Sequence, residues 1–269
     1  YRETRGDWLL LVNQDAFLAP DFLERALAAA RAAAAAGVKV GAVQGLVLRT
    51  TPAEGSAPAA PRAIDALGVE LRRSRRNLIL GHGLPESAAR GGEVFAPDGA
   101  VSLFRRAALE DAAVDGLPYD PAFFFGRDEV DLGWRTSRLG WRTLVEPAAR
   151  AFHCRTLSRA TARTVPLAIR RASVRARYLL FAKHERARDL LRDLPWVLGF
   201  ELAYAAYQLV RDPRAYLGGV LGALRLLPAA LRARRAFFAR RPPFPDAPRR
   251  FFGARLPLPL AVAGTPGNP

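Results

Sequence analysis

The 269-residue sequence contains no methionine, one cysteine and only two lysines, Lys39 and Lys183. A single cysteine excludes an intrachain disulfide and fits a reducing compartment. Because no initiating methionine is present, we expect an N-terminal segment of a longer protein to precede Tyr1. Long uninterrupted apolar runs are also absent. The segment 194–210 contains Glu201 and falls short of the roughly 20 predominantly apolar residues of a transmembrane helix.

Acidic side chains are scarce in the second part of the chain. Residues 1–149 carry 18 basic and 19 acidic side chains, whereas residues 150–269 carry 23 basic and 6 acidic ones, so the excess behind the net charge of +16 lies there. Such a basic tract favours an anionic partner, either phospholipid or nucleic acid. Its arginines alternate with apolar stretches along helices that we predict at 166–194, 195–211 and 213–241. This pattern is typical of amphipathic segments at a membrane surface.

A short hydrophobic run, WLLLV at residues 8–12, ends abruptly in Asn13, Gln14 and Asp15. Its length and polar flanks predict a strand buried on both faces of a parallel sheet. In open α/β sheets the ligand crevice lies just beyond the carboxyl ends of the strands, which would place Asp15 in a cleft. Asn and Asp after a strand are also explained by turn chemistry alone, so this motif by itself leaves both interpretations open.

The following residues alternate between helix and strand patterns. Residues 21–36 are predicted as a helix that stops at Gly37, and residues 40–48 as a second buried strand. The order of strand, helix and strand implies a crossover connection between parallel strands. Further on, we predict an exposed arginine-rich turn at 72–77 and a helix that begins near Leu103.

Asp128, Glu129 and Asp131 form an acidic cluster at the predicted start of a helix. Three like charges are costly in one buried place unless a cation, a proton or substrate hydroxyls share it. At the start of a surface helix they would be favourable through the helix dipole. His153, at a predicted strand end, is either a hydrogen-bonded structural residue or, with Asp15, an oxygen and nitrogen pair suited to Mn²⁺ or Mg²⁺.

Taken together, these motifs resemble the family 2 glycosyltransferases of the GT-A fold, in particular their bacterial rhamnosyltransferase-like branch. The resemblance covers residues 6–158 and is carried, in the order found in that family, by LLLVNQDAFLAPDFLERAL, GAVQGLVL, IDALGVEL, EVFAPDGAVSLFRRAAL and YDPAFFFGRDEVDLGWRTSRLGWRTLVEPAARAFH. It implies an α/β fold with a GT-A-like mixed, mostly parallel sheet flanked by helices over residues 1–158. The N-terminal nucleotide-binding half would be missing, and residues 159–269 would form a basic, amphipathic, α-helical region associated with the membrane.

The resemblance also implies roles for single residues. Asn13 and Asp15 match a variant of the D-x-D motif that binds the donor, with Asp15 and His153 as ligands of a divalent metal. The turn that lines the donor-sugar and acceptor pocket is matched by Asp98, Gly99 and Ala100.

The same comparison implies a catalytic base in the acidic cluster. Asp128 and Glu129 stand where that family usually has Glu followed by Asp, whose second carboxylate is the base. The order is inverted here, so Glu129 is favoured by position and Asp128 remains the alternative. Acceptor contacts are expected from Asp131, Trp134 and Arg135.

The implied activity is inverting transfer of a sugar, rhamnose in this branch, from a nucleotide sugar with Mg²⁺ or Mn²⁺. A lipid-linked or polysaccharide acceptor in cell-envelope glycan synthesis is expected, with the protein cytoplasmic and peripheral on the inner face of the plasma membrane. Because the nucleotide-binding half is expected elsewhere, we predict that this piece alone is inactive. The alternative is a basic membrane-associated scaffold or nucleic-acid-binding protein without catalysis. No recognisable nucleic-acid motif accompanies the charge, so nucleic acid is not the expected partner.

Overall fold

The computed structural model describes residues 3–51, 62–124, 126–155, 164–254 and 256–260. Within these ranges, the strands are β1 (Trp8–Val12), β2 (Ala16–Leu18), β3 (Val40–Arg49), β4 (Ile64–Ala66), β5 (Val69–Leu71), β6 (Asn77–Ile79), β7 (Gly92–Val94), β8 (Val101–Arg105) and β9 (Arg142–His153). The helices are α1 (Phe22–Ala35), α2 (Arg106–Ala112), α3 (Asp128–Arg138), α4 (Leu167–His184), α5 (Ala187–Arg192), α6 (Leu194–Arg211) and α7 (Pro213–Ala239).

The main sheet is mixed and predominantly antiparallel. Its strand order is β1, β8, β3, β9, β2, with β4 added to β3 and β7 added to β9. Among the described strands the pairing of β3 with β9 is the parallel one, so the prediction of a mostly parallel sheet is wrong. β8 lies between β1 and β3 and runs antiparallel to both, and the pairings of β2 with β9, β4 with β3 and β7 with β9 are antiparallel as well. The fold is still α/β, with helices on the faces of the mixed sheet, which is consistent with a GT-A-like arrangement.

β8 also corrects two local predictions. The residues around Leu103, expected to begin a helix, form this strand, and the helix α2 begins only at Arg106. β1 pairs only with β8 within the described sheet and forms its edge. Leu9 is buried, but Leu11 and Val12 are 39% and 41% exposed. The prediction that the opening strand is buried on both faces is therefore wrong at its carboxyl end.

Helices pack on both faces of the sheet because successive β3 side chains point to opposite sides. Val43 joins the cluster around Phe22 and Ala26 of α1. Its neighbour Ala42 joins the cluster that contains Leu132 of α3, together with residues of α2. Two apolar layers of this kind give the sheet a fixed position between α1 on one side and α2 and α3 on the other.

The C-terminal helices pack against the first part of the chain through buried ion pairs. Arg75, in the turn between β5 and β6, donates to Glu185 at 2.7 Å and to Asp193 at 2.8 Å. Arg75 is only 7% exposed, so the prediction of an exposed arginine-rich turn is wrong at this residue. Carboxylates more than a hundred residues away offset the desolvation of its charge. The predicted boundary at residue 158 lies outside the described residues.

The outer surface of α6 and α7 is apolar at many positions. Exposed side chains there include Leu198, Leu202 and Leu209 of α6 and Leu217 and Leu224 of α7. Within the described ranges, no helix combines the length and the hydropathy that crossing a bilayer requires.

Candidate active site

Asp15 and His153 meet at one end of the sheet because β2 pairs with the end of β9. Ala16 lies opposite His153 in the antiparallel register, and the Cys154 N–H donates to the Asp15 carbonyl at 2.9 Å. Asp15 Oδ1 lies 3.2 Å from His153 Nε2. The imidazole is buried and the carboxylate is partly exposed. The structure thus brings the two predicted metal ligands into direct contact.

The buried carboxylate of Asp65 on β4 orients the His153 ring. Asp65 Oδ2 lies 2.8 Å from His153 Nδ1, and Asp65 Oδ1 accepts from Arg155 Nε at 2.7 Å. Burial alone would raise the pKa of Asp65, but the hydrogen bonds from His153 and Arg155 outweigh it and lower the pKa to about 2. An ionised carboxylate can only accept, so Nδ1 carries the proton and Nε2 faces Asp15. The hydrogen bond to Asp65 also raises the pKa of His153.

The turn at Asp98, Gly99 and Ala100 lies beside the end of β1. The Asn13 N–H donates to the Ala100 carbonyl at 2.9 Å. The Asn13 side chain itself is exposed. Asp98 Oδ2 accepts from the Ala100 N–H at 3.1 Å, and its own N–H donates to Gln44 Oε1 at 2.6 Å. Burial raises the pKa of Asp98, although the Arg155 guanidinium opposes this effect. Strand β3, through Gln44, therefore holds the turn in place.

Glu129 faces this turn from the first residues of α3. Its Oε2 lies 3.9 Å from the point where a Cβ on Gly99 would stand, so the carboxylate lies directly beside the turn. Burial, a hydrogen bond with Asp128 and the charge of Asp128 raise the pKa of Glu129 well above its usual range. The carboxylates of Asp128 and Glu129 therefore lie together in a partly buried position. The alternative of a solvated start of a surface helix does not apply to them.

Asp131 has a different environment from its two acidic neighbours. It is fully buried and lies 2.5 Å from Lys183 Nζ, 2.7 Å from Arg135 Nη2 and 2.8 Å from His184 Nε2. These partners hold its pKa well below the usual range, against the effect of burial. Asp131 thus joins α3 to α4.

Trp134 and Arg135 also lie inside the protein. The Trp134 ring stacks on His184 with centroids 5.4 Å apart, and Arg135 donates to the carbonyls of Ala112 and Pro118. Trp134 is 5% exposed and Arg135 is 1% exposed. The structure does not bring these two residues and Asp131 to an open surface, and we assign them no acceptor contact.

The pair of Asp15 and His153 is a donor set that fits a divalent ion. One carboxylate oxygen and one imidazole nitrogen suit Mn²⁺ and Mg²⁺. A histidine whose other nitrogen is held by a carboxylate, as His153 is by Asp65, is the usual arrangement at metal centres. Within the described ranges no group of three or more His, Cys, Asp and Glu side chains could hold an ion alone. The remaining ligands would come from a substrate.

Sequence reasoning gives no role to several residues that build this site. Asp65 lies in the stretch IDALGVEL, which the resemblance includes, but no spacing relates it to His153. Gln44 and Arg155 carry no motif of their own. Only the pairing of β3 with β4 and β9 places all three around the predicted residues.

A family model described as "Glycosyltransferase like family 2" matches residues 1–178. The chain belongs to this family. Among solved structures, the crystal structure of GalNAc-T7 with UDP, GalNAc and Mn²⁺ is similar at a TM-score of 0.43 and 12% identity. The similarity covers 68% of this chain and 35% of that one, so the chain spans about a third of that protein's length. No curated protein matches the chain.

In this family 2 chain, the match includes every residue of the site formed around Asp15, His153 and Glu129. It begins before β1 and ends within α4, so it includes Asp131 but not Lys183 and His184, the partners of Asp131 on that helix. Membership of the family supports glycosyl transfer as the class of activity.

Proposed function

We propose that this chain contributes the metal-binding and acceptor-activating part of an inverting glycosyltransferase that uses a nucleotide-sugar donor. The observation that supports the proposal is that Glu129, the turn at Asp98 to Ala100, and Asn13 are neighbours in the structure. They connect a carboxylate with a raised pKa to the pair of Asp15 and His153. A base and a site for the leaving diphosphate are the two parts that an inverting transfer requires.

Glu129 is the proposed general base. In an inverting transfer the acceptor hydroxyl loses its proton as its oxygen attacks the anomeric carbon, and a carboxylate within hydrogen-bond reach accepts that proton. The raised pKa of Glu129 makes its carboxylate a stronger proton acceptor than an ordinary glutamate carboxylate. Asp128 maintains this shift through its hydrogen bond and its charge.

Asp15 and His153 are the proposed ligands of Mn²⁺ or Mg²⁺ on the donor diphosphate, and Asn13 and the Asp98 turn would border the donor. A divalent ion bound there supplies charge neutralisation for the departing diphosphate. Asp65 keeps the His153 nitrogen Nε2 directed toward Asp15.

Rhamnose as the sugar, a lipid-linked or polysaccharide acceptor of the cell envelope, and a peripheral position on the inner face of the plasma membrane are further parts of the proposal. The rhamnose assignment is supported by the sequence resemblance. The membrane position is supported by the basic charge of residues 150–269 and by the exposed leucines of α6 and α7. A scaffold or nucleic-acid-binding role is not favoured by any feature of the site.

The test combines donor binding and transfer, both measured on the full-length protein. Titration of a nucleotide-sugar panel with and without Mn²⁺ should identify one donor with metal-dependent binding, which Asp15→Ala should weaken. Glu129→Gln should leave that binding nearly unchanged but lower transfer by about 10²–10⁴-fold, since Gln cannot accept the proton.

Asp128→Asn is the matched control. It should retain transfer and move the acidic limb of the pH profile to lower pH, because it removes the charge that raises the pKa of Glu129. Loss of transfer in Asp128→Asn together with an active Glu129→Gln would reverse the assignment of the base. Absence of binding by every donor to a folded sample would contradict the proposed function.

A further inference from the structure

A cavity of ≈ 920 Å³ lies between α4, α6 and the hairpin of β5 and β6. Five arginines contribute to its lining: Arg76, Arg127, Arg170, Arg177 and Arg211. We call it the arginine cavity. Its size lies at the upper end of the range of small-molecule sites, so it can hold far more than an isolated phosphate ion.

The positive charge of the arginine cavity is only partly neutralised by protein groups. Arg177 is paired with Glu201, and Arg170 with Asp212. Arg76 and Arg211 are exposed and form no ion pair with any residue of the described part of the chain. The lining therefore presents unpaired guanidinium groups, which bind phosphate oxygens through two parallel hydrogen bonds.

Arg127 connects the arginine cavity with the candidate base. Its backbone adopts φ 66°, a left-handed conformation that is uncommon for a residue with a side chain, directly before the first residue of α3. Nε donates to Asn77 Oδ1 at 3.0 Å and Nη1 to Ser173 Oγ at 3.1 Å, both of them neutral groups. Arg127 is also close enough to Glu129 for their charges to interact. The guanidinium is thus fixed by neutral partners two residues before Glu129.

Aromatic side chains complete the lining on the side of α6. Phe200, Tyr204 and Tyr207 all border the cavity, and the guanidinium of Arg76 lies 5.9 Å from the centre of the Phe200 ring. Aromatic walls with a few charged groups are typical of sites that bind an amphiphilic organic ligand in one orientation. Next to them, α6 carries the exposed leucines Leu198, Leu202 and Leu209.

We propose that the arginine cavity binds the phosphate or diphosphate group of the sugar acceptor, with its apolar or glycosyl part against the aromatic wall. The assignment to the acceptor rests on the proposed function. Because Glu129 is the proposed base, a ligand bound next to it is the molecule whose hydroxyl would lose its proton and attack the donor. The shared chemistry is a phosphorylated glycosyl compound. It has two sources, a soluble glycosyl phosphate and a lipid-linked glycosyl diphosphate.

The test is calorimetric titration of the 269-residue chain with farnesyl diphosphate, inorganic pyrophosphate and farnesol, in EDTA to prevent metal-dependent binding at Asp15 and His153. Farnesyl diphosphate should bind, and farnesol should not. The double variant Arg76→Gln/Arg211→Gln should weaken binding at least about tenfold, because each guanidinium supplies a charged hydrogen bond. The matched control Arg31→Gln/Arg225→Gln removes the same charge from two exposed arginines outside the cavity and should leave affinity unchanged.

The outcomes separate the sources and the proposals. Farnesyl diphosphate bound at least tenfold more tightly than pyrophosphate supports a lipid-linked acceptor, and equal affinities support a soluble phosphate. No binding by a folded chain, or equal weakening in both double variants, overturns the arginine cavity as a site. A nucleotide-sugar titration with Mn²⁺ on the full-length protein tests the proposed function separately. If farnesyl diphosphate binds but no donor does, the acceptor assignment is overturned.

Discussion

At the scale of single residues, Asp65 links the parts of the candidate site. Its two carboxylate oxygens hold His153 and Arg155, and Arg155 Nη2 in turn lies 3.7 Å from Asp98 Oδ2. Asp65 is fully buried, and its hydrogen bonds with His153 and Arg155 account for its charge without a substrate. Its role is that of a positioning residue, which acts on the donor site through the direction of one imidazole nitrogen.

Asp65→Asn should therefore weaken Mn²⁺-dependent donor binding by about 10–100-fold, the usual effect of losing a carboxylate behind a metal-bound histidine. The measurement is titration of the donor at several Mn²⁺ concentrations, with a thermal melt to confirm that the variant is folded. Asp246→Asn, on an exposed carboxylate, is the control. Unchanged metal dependence in a folded Asp65→Asn sample would remove Asp65 from the site.

At the scale of elements, the position of α3 decides which carboxylates reach the site. Gly133 lets the helix approach the chain before the Asp98 turn, because a Cβ there would lie 2.7 Å from Ala96 Cβ and 3.0 Å from Phe95 Cε1. On the other side, Asp131 fixes α3 to α4 through Lys183. Close packing and a buried ion cluster together orient Glu129.

Gly133→Ala should lower the free energy of unfolding by about 1–3 kcal/mol, because the added methyl overpacks this contact. Gly199→Ala, in the interior of α6, is the matched control, since no atom lies within 4 Å of its added Cβ. That variant should be stabilised by about 0.4–1 kcal/mol through the lower entropy of its unfolded chain. Urea titration compares the two. Equal effects of both substitutions would contradict the close approach of α3.

The buried cluster between α3 and α4 makes stability depend on pH. Burial lowers the pKa of His184 to about 3, despite its hydrogen bond to Asp131, and Lys183 and Arg138 act in the same direction as burial. Between about pH 6.5 and this value the unfolded chain binds a proton that the folded chain does not. The free energy of unfolding should therefore fall as the pH is lowered through this window.

His184→Gln keeps a donor for Asp131 but does not titrate. Its unfolding free energy should decline less steeply than that of the unmodified chain between pH 6.5 and 4, by up to ~1.4 kcal/mol per pH unit. Urea unfolding at each pH measures the difference, with His82→Gln, on a ring that is 36% exposed, as the control. Parallel pH profiles for the His184 variant and the unmodified chain would show that His184 titrates normally.

At the scale of the whole molecule, charge and apolar surface are concentrated on the C-terminal helices. Leu198, Leu202 and Leu209 of α6 are spaced by four and seven residues, so they lie on one stripe of the helix. The excess of positive charge belongs to residues 150–269. The proposed anionic bilayer surface would match both features, because its headgroups would pair with arginine while the leucines enter the interface.

Leu202→Ser/Leu209→Ser should weaken binding to phosphatidylglycerol vesicles by at least about tenfold, because two leucines no longer leave water. The measurement is vesicle co-sedimentation at low and high salt. Leu23→Ser/Leu84→Ser, on exposed leucines of the first part of the chain, is the matched control and should bind as the unmodified chain does. Equal binding of both double variants would show that charge alone attracts the chain.

Local pattern in the sequence is sufficient to predict several elements. The short apolar run at Trp8–Val12 is a strand, α1 ends before Gly37, and α3 begins at the acidic cluster. Motif order alone predicts Asp15, Asp98, Glu129 and His153, and the structure places them along one connected set of contacts. The elements depend on neighbours within one helix, strand or turn, which periodicity and turn chemistry indicate directly, whereas the site residues are implied by the family resemblance.

Only the tertiary structure decided the strand order and the fate of each buried charge. Nothing within Val101–Arg105 indicates that this strand inserts between β1 and β3 and runs antiparallel to both. Asp65 and His153 are 88 residues apart, and Asp131 and His184 are 53 apart. Whether a carboxylate becomes a base, a positioning group or a structural ion depends on partners that folding alone brings near, because desolvation and pairing act through space and not along the chain.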